Sequence, residues 1–259
     1  MDLDPGLAAL RPLGGFFVLR ASGPPPHRPL ATLAHAYREN PVDGPSHGPA
    51  FDDPLAFRVR KVAAALGAPE TRIAASVAHQ GLAARLWSVT LGCAVLYGRV
   101  PLLEPGLLHW DPDATAPDDL WLAGTRPAAA PTRPGDAATV AEAVLDGHLA
   151  PLTAALRARY RLAAGLLWGN AASALAGAGR ELDRWARRHG RTDAAARARS
   201  LTAGLLGHPL LAGTGTLTGA GTAFRRRSCC LYYRVPGGGV CGDCCFSRPP
   251  RSSPDAPSE

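Results

Sequence analysis

Five of the six cysteines in this chain crowd into one short stretch near its end, Cys229, Cys230, Cys241, Cys244 and Cys245. Their spacing is C-C-x10-C-x2-C, with Cys245 left over. The fold must bring four thiols within reach of one point. Ten extended residues can span about 35 Å, far too long for one metal site, so the chain has to turn back between the two pairs. Pro236 and the run Gly237 to Gly239 sit there, and glycine takes positive φ without a Cβ clash.

Three readings of the thiols compete. Disulfides need an oxidising compartment. The N-terminus, Met1-Asp2-Leu3-Asp4-Pro5, carries two acids and no basic residue ahead of an apolar core, so no signal peptide is expected. In a reducing compartment, clustered cysteines more often serve metal or redox chemistry. Structural zinc usually takes two separated C-x2-4-C knuckles or a mixture of Cys and His. Only Cys241 and Cys244 have knuckle spacing, and the nearest upstream histidine is His208. An iron–sulfur cluster tolerates other spacings. Spacing alone leaves zinc and iron–sulfur both open, with iron–sulfur ahead.

The motif, embedded in RRSCCLYYR…PGGG…CGDC, resembles the C-terminal segment of the FhuF-like ferric siderophore reductases. Two upstream stretches are similar as well: Arg85-Leu86-Trp87-Ser88 running to Leu91-Gly92-Cys93, and Leu167-Trp168-Gly169-Asn170 running to Ser173-Ala174-Leu175. The resemblance implies a [2Fe–2S] cluster held by Cys229, Cys230, Cys241 and Cys244. Cys245 departs from the pattern, as a spectator or a competitor of Cys244. A thiolate-ligated cluster is a net anion, so positive charge and backbone N–H groups around it stabilise its reduced form. Arg225, Arg226, Arg227, Arg234 and Arg248 can supply charge, although an arginine run on a basic chain is as readily a solvated surface.

The formal net charge is +7, which points to anionic partners: an acidic electron-transfer protein, an anionic chelate, nucleic acid or a membrane surface. Nucleic acid is disfavoured, because only Tyr232 and Tyr233 interleave the basic residues as stacking aromatics. No apolar run is long enough to span a bilayer. There is no P-loop, and no flavin or nicotinamide site is read in the chain, so electrons for any redox reaction must come from outside it.

Ordinary patterning fills in the rest. A strand is expected over Gly15 to Leu19. A short helix is expected from Leu30 to Glu39, a second from Leu55 to Leu66 ended by Gly67, and a long one from Glu70 to Tyr97 with a break near Gly81 left open. Cys93 falls on the apolar stripe of that helix as a structural thiol, and Arg85 reads as a snorkelling side chain. Leu107 to Trp110 and Leu120 to Leu122 read as short strands paired with Phe16 to Leu19. His109, Trp110 and Trp121 are pocket candidates, core packing being the commoner fate. Gly124 to Gly135 reads as a loop. Asp136 to Arg159 reads as a helix ended or kinked at Pro151, followed by Arg161 to His189 and Asp193 to Leu206. Gly213 to Thr222 reads as a connector.

The expected fold is α+β and predominantly helical: a helical domain with a small β-sheet over residues 1–222, a cysteine module over 223–247 and a disordered tail over 248–259. The expected function is one-electron reduction of iron(III) in a siderophore, in the cytoplasm, with electrons from a ferredoxin- or flavin-type donor. Association with the inner face of the cell membrane stays open. The competing expectation is a non-redox siderophore- or partner-binding protein with a structural zinc.

Overall fold

The computed structural model describes residues 7, 10–21, 30–38, 49–123, 132–219, 223–248 and 250. Residues 22–29, 39–48 and 251–259 lie outside them.

Two long helices form the axis of the molecule, Thr71–Tyr97 and Ala164–Arg188, and their mutual contact is the most extensive in the fold. Small side chains let them approach closely. Ala74, Ala75, Ala78 and Ala83 on the first and Ala171, Ala172, Ala174 and Ala176 on the second are all buried. Between them Trp87 is wholly buried, and its indole N–H donates to the Ala171 carbonyl at 3.1 Å. The first helix runs unbroken through Gly81 and stops where Gly98 turns left-handed at φ 67°. Burial on several sides outweighs the glycine's weak helix propensity, about 1 kcal/mol.

Pro54–Leu66 packs on one side of this pair and Thr192–Leu206 on the other. Its start follows helix-capping rules. The Asp53 carboxylate accepts from the Ala56 N–H at 3.0 Å, Pro54 takes a first-turn position where no N–H is needed, and Gly67 at φ 56° ends it.

The helix expected near 136–159 is continuous past Pro151 but changes character. It runs Ala137–Ala141, a π-helical Glu142–Leu149, then Ala150–Tyr160. Pro151 has no N–H for the carbonyl four residues back, and the wider π turn ends just before it.

Among the described residues, three small antiparallel sheets complete an α+β fold dominated by helices. Leu108–Trp110 pairs with Leu120–Leu122 as expected, but its other neighbour is Ala31–Thr32. The stretch Gly15–Phe17 is a 3-10 turn, and only Arg20 reaches the sheet, by a single bridge to Trp121. Arg85 explains the difference. It is buried, pairs with Asp119 at 2.8 Å, and donates to the carbonyls of Phe16 and Val18. Those carbonyls are therefore spent on a guanidinium instead of a strand, and Arg85 does not snorkel. The expected helix at Leu30 shortens to Leu33–Ala36 because Ala31 and Thr32 are in the sheet. Thr132–Pro134, inside the expected loop, is a strand against Arg99–Pro101. Part of the expected connector is a strand: Gly215–Thr218 pairs antiparallel with Ala223–Arg226, which leads into the cysteines, while 220–222 lie outside the described residues.

His109 and Trp121 are occupied locally, His109 Nδ1 on the Leu30 carbonyl at 2.9 Å and Trp121 under the Arg20 guanidinium. Trp110 is buried and lines a cavity of about 220 Å³. Cys93 is fully buried, which pushes its thiol up to about 12, as befits a structural residue.

Candidate metal centre

The cysteine segment folds back on itself as its composition requires. Gly237 takes φ 70°, and the Gly238 N–H donates to the Val235 carbonyl at 2.7 Å. This reversal brings Cys241 beside Cys230, with the sulfurs 3.6 Å apart. The separation is far beyond the 2.05 Å or so of a disulfide. It matches the edge of a tetrahedron about one metal, about 3.8 Å for metal–sulfur bonds near 2.3 Å. The Cys244 N–H donates to the Cys241 carbonyl at 3.0 Å, closing the knuckle turn.

Two other sulfurs already accept backbone hydrogen bonds. The Leu231 N–H reaches Cys229 Sγ at 3.2 Å, and the Phe246 N–H reaches Cys244 Sγ at 3.4 Å. The first needs Leu231 at φ 70°, a left-handed conformation that is costly without glycine. Hydrogen bonds of this kind tune iron–sulfur potentials. The thiols also perturb each other. Cys230 is drawn down to about 6, first by its hydrogen bond with Cys241 and against the cost of burial. Cys241 moves up for the same shared proton. Burial pushes Cys229 up to about 11, and the neighbouring Cys230, Cys245 and Cys244 add to it. Cys245 is pushed up by burial and by Cys244.

The structure thus closes one pair, Cys230 and Cys241, and gathers Cys229, Cys244 and Cys245 around it. Among the described residues no group of three or more Cys, His, Asp or Glu side chains is arranged to hold a metal ion. Soft thiolates of this kind would suit an iron–sulfur cluster, and Cys230 and Cys241 stand at the separation of two ligands on one metal.

The module is tied to both long helices by polar contacts, and two of the residues that make them, Asn170 and Ser173, belong to the upstream stretches singled out above. Ser76 donates to the Cys230 carbonyl at 2.8 Å, and Asn170 Nδ2 donates to Ser76 Oγ at 2.9 Å. Ser173 donates to Asp243 Oδ2 at 2.6 Å, with Arg180 beyond at 3.4 Å. Asp243 lies between the knuckle cysteines and is 8 % exposed. Sequence reasoning passed over Ser76 and Gln80, and quoted Ser173 and Asp243 without giving either a role. The one available signal was Asp243, an acid inside a C-x2-C knuckle.

The arginines divide sharply. Arg225, Arg227, Arg234 and Arg248 are exposed, whereas Arg226 is 2 % exposed. Alternation along Ala223–Arg226 decides this, since successive side chains on a strand face opposite ways.

A cavity of about 420 Å³ opens beside the module. Its walls come from the N-terminal turn (Gly15, Phe16), the first long helix (Gln80, Ala84, Ser88), the second (Gly177, Arg180) and Cys241-Gly242-Asp243.

Comparison with known families agrees with this geometry. A family described as "Ferric iron reductase FhuF-like transporter" matches residues 80–212, about half the chain, and one described as "FhuF 2Fe-2S C-terminal domain" matches 226–246. No curated protein matches the chain. No helix among the described residues is long and apolar enough to cross a membrane. Two matched segments, one covering the helices that wall the cavity and one covering the cysteines, lead to one conclusion: the chain belongs to the FhuF-like ferric iron reductase family, with a C-terminal domain of the [2Fe–2S] type.

Proposed function

We propose that the chain reduces siderophore-bound iron(III) to iron(II) in the cytoplasm, with Cys229, Cys230, Cys241 and Cys244 holding the [2Fe–2S] cluster and Cys245 as a bystander. The observation that carries this reading is the shared wall: Cys241 lines the 420 Å³ cavity. A ferric chelate seated there would lie against one of the proposed cluster ligands. Hard oxygen donors grip iron(III) tightly and iron(II) much more weakly, so one electron releases the metal. The bound cluster supplies electrons singly, which is what this reaction consumes. The chain's own residues bind and orient the chelate and need transfer no proton.

The electron comes from an external one-electron donor of ferredoxin or flavin type. A docking face for an acidic donor is supported by Val240 and Phe246, 39 % and 37 % exposed, in the same segment as the exposed Arg225, Arg227, Arg234 and Arg248. The cysteine module over 223–247 is proposed as a separate functional unit on the helical domain.

Anaerobic purification followed by metal analysis and visible spectra tests the reading. About two irons per chain and absorption that bleaches with dithionite are expected, with bleached protein then reducing a ferric siderophore and reoxidising. Cys230→Ser should lose both colour and activity. Gly177→Trp, which fills the cavity, should keep dithionite bleaching and lose chelate reduction. Colourless protein with one zinc per chain would overturn the reading in favour of a zinc-stapled binding protein.

A further inference from the structure

The side chain that stands out around the cysteines is Arg226. It is 2 % exposed, and among the described residues no carboxylate pairs with it. All its partners are neutral. Nη1 donates to Gln80 Oε1 at 3.2 Å, Nη2 donates to Asn170 Oδ1 and reaches the Leu166 carbonyl at 3.5 Å, and its backbone N–H donates to the Asp243 carbonyl at 2.9 Å. Nε is buried with no partner. A buried cation held only by neutral groups is costly unless an anion lies within its field. The carboxylate of Asp243 is turned to Ser173 and Arg180, which leaves the cysteine sulfurs of the same segment as the groups able to carry negative charge toward Arg226. The backbone bond from Arg226 to the Asp243 carbonyl fixes it against the knuckle of Cys241 and Cys244, and Asn170 connects it through Ser76 to the Cys230 carbonyl.

We infer that Arg226 is the internal counter-cation of the [2Fe–2S] centre, a positioning residue that sets how readily the centre accepts an electron. The inference rests on the ligand assignment proposed above. Reduction adds one negative charge to a centre that is already anionic. A fixed positive charge in a low-dielectric surrounding favours that step strongly, whereas the exposed Arg225 and Arg227 are screened by water and salt. The same guanidinium joins the cavity to the centre. Gln80 lines the cavity, and Asn170 continues through Ser76 to the Cys230 carbonyl. A chelate that pulls on Gln80 would therefore shift the charge that stabilises the reduced centre.

The test is an anaerobic redox titration of iron-loaded protein with dithionite and mediator dyes, read from the visible spectrum. Arg226→Gln keeps hydrogen-bonding capacity and removes the charge. At the wild-type midpoint it should shift the ratio of reduced to oxidised centre at least tenfold toward oxidised, which is 59 mV for one electron. Arg226→Lys keeps the charge and should stay within threefold of wild type. Arg225→Gln, at an exposed position, should change the ratio less than twofold. An unchanged ratio in Arg226→Gln, or an Arg226→Lys shift as large as that of Arg226→Gln, would overturn the inference and leave Arg226 a packing residue. Should Arg226→Gln fail to load iron, Gln80→Glu replaces it: a carboxylate on Nη1 neutralises the field and should move the ratio the same way, and no movement overturns the inference. Wild-type protein that binds no iron sinks the proposed function itself; iron-loaded protein whose midpoint ignores residue 226 sinks only the counter-cation.

Discussion

The three consecutive glycines of the module are not equivalent. A Cβ on Gly238 would sit 2.6 Å from the Tyr232 carbonyl oxygen and 2.8 Å from that of Val235, both backbone atoms with no freedom to yield. A Cβ on Gly239 would meet nothing within 4 Å. Gly238→Ala should therefore open the reversal that sets Cys241 against Cys230, lowering iron content several-fold after anaerobic reconstitution. Gly239→Ala should load iron as wild type does. Equal loading of the two variants would mean that the turn does not position the thiols. Leu231 belongs to the same level of detail: its left-handed backbone aims an N–H at Cys229 Sγ.

Between elements, close approach is the recurring device. Gly179 faces Thr202 where Ala164–Arg188 meets Thr192–Leu206, and a Cβ there would fall 2.1 Å from Thr202 Oγ1 and 3.1 Å from its Cβ. Thr202 is buried and β-branched, and its hydroxyl is bonded to the Ala198 carbonyl at 2.8 Å, so it has little room to rotate away. Gly179→Ala gains about 1 kcal/mol in helix propensity but forces the helices apart, at about 1–3 kcal/mol for overpacking. The net effect should be destabilising, by up to about 2 kcal/mol in urea melts; the double variant Gly179→Ala with Thr202→Ala should recover most of it. A stabilised single variant would show that the two helices have slack at this crossing. The second long helix is more than packing: its Asn170 and Ser173 hold the module, so disturbance at Gly179 should also reach the thiols.

At the scale of the whole molecule, two histidines buried among the described residues tie stability to pH. His148 Nε2 lies 2.6 Å from the Leu103 carbonyl and so carries the proton, which leaves Nδ1 to accept from the Tyr37 hydroxyl at 2.9 Å. Burial draws His148 down to about 4, and burial followed by the Arg226 charge draws His79 down to about 3. Both are neutral in the fold, while an unfolded histidine titrates near 6.5. The folded pKa values are depressed, so this contribution is complete above about 6.5 and is lost as pH falls toward 4 and 3. Melting temperature should fall steadily from pH 7 to pH 4.5. In His148→Gln it should be lower at pH 7 but fall less steeply, because one of the two proton acceptors of the unfolded state is gone. An identical slope in both proteins would show that His148 is not one of the responsible groups.

Local sequence carried much of this protein. The cysteine spacing and the glycine run called for a reversal that presents thiols to a metal. The long helices, their glycine stops and the Leu108–Trp110 and Leu120–Leu122 strands followed from periodicity and turn chemistry, which depend on neighbours along the chain. What depended on distant neighbours was not legible. Phe16 to Leu19 read as a strand because nothing local revealed that Arg85 and Asp119 would claim its carbonyls. Gly213 to Thr222 read as a connector because a glycine-rich strand shows its nature only when paired, here with Ala223–Arg226. Arg225, Arg226 and Arg227 were indistinguishable as letters. Strand alternation turned the middle one inward, and helices more than fifty residues away closed over it, so burial, which decides whether a charge is screened by water or felt by its neighbours, was settled by the tertiary structure alone.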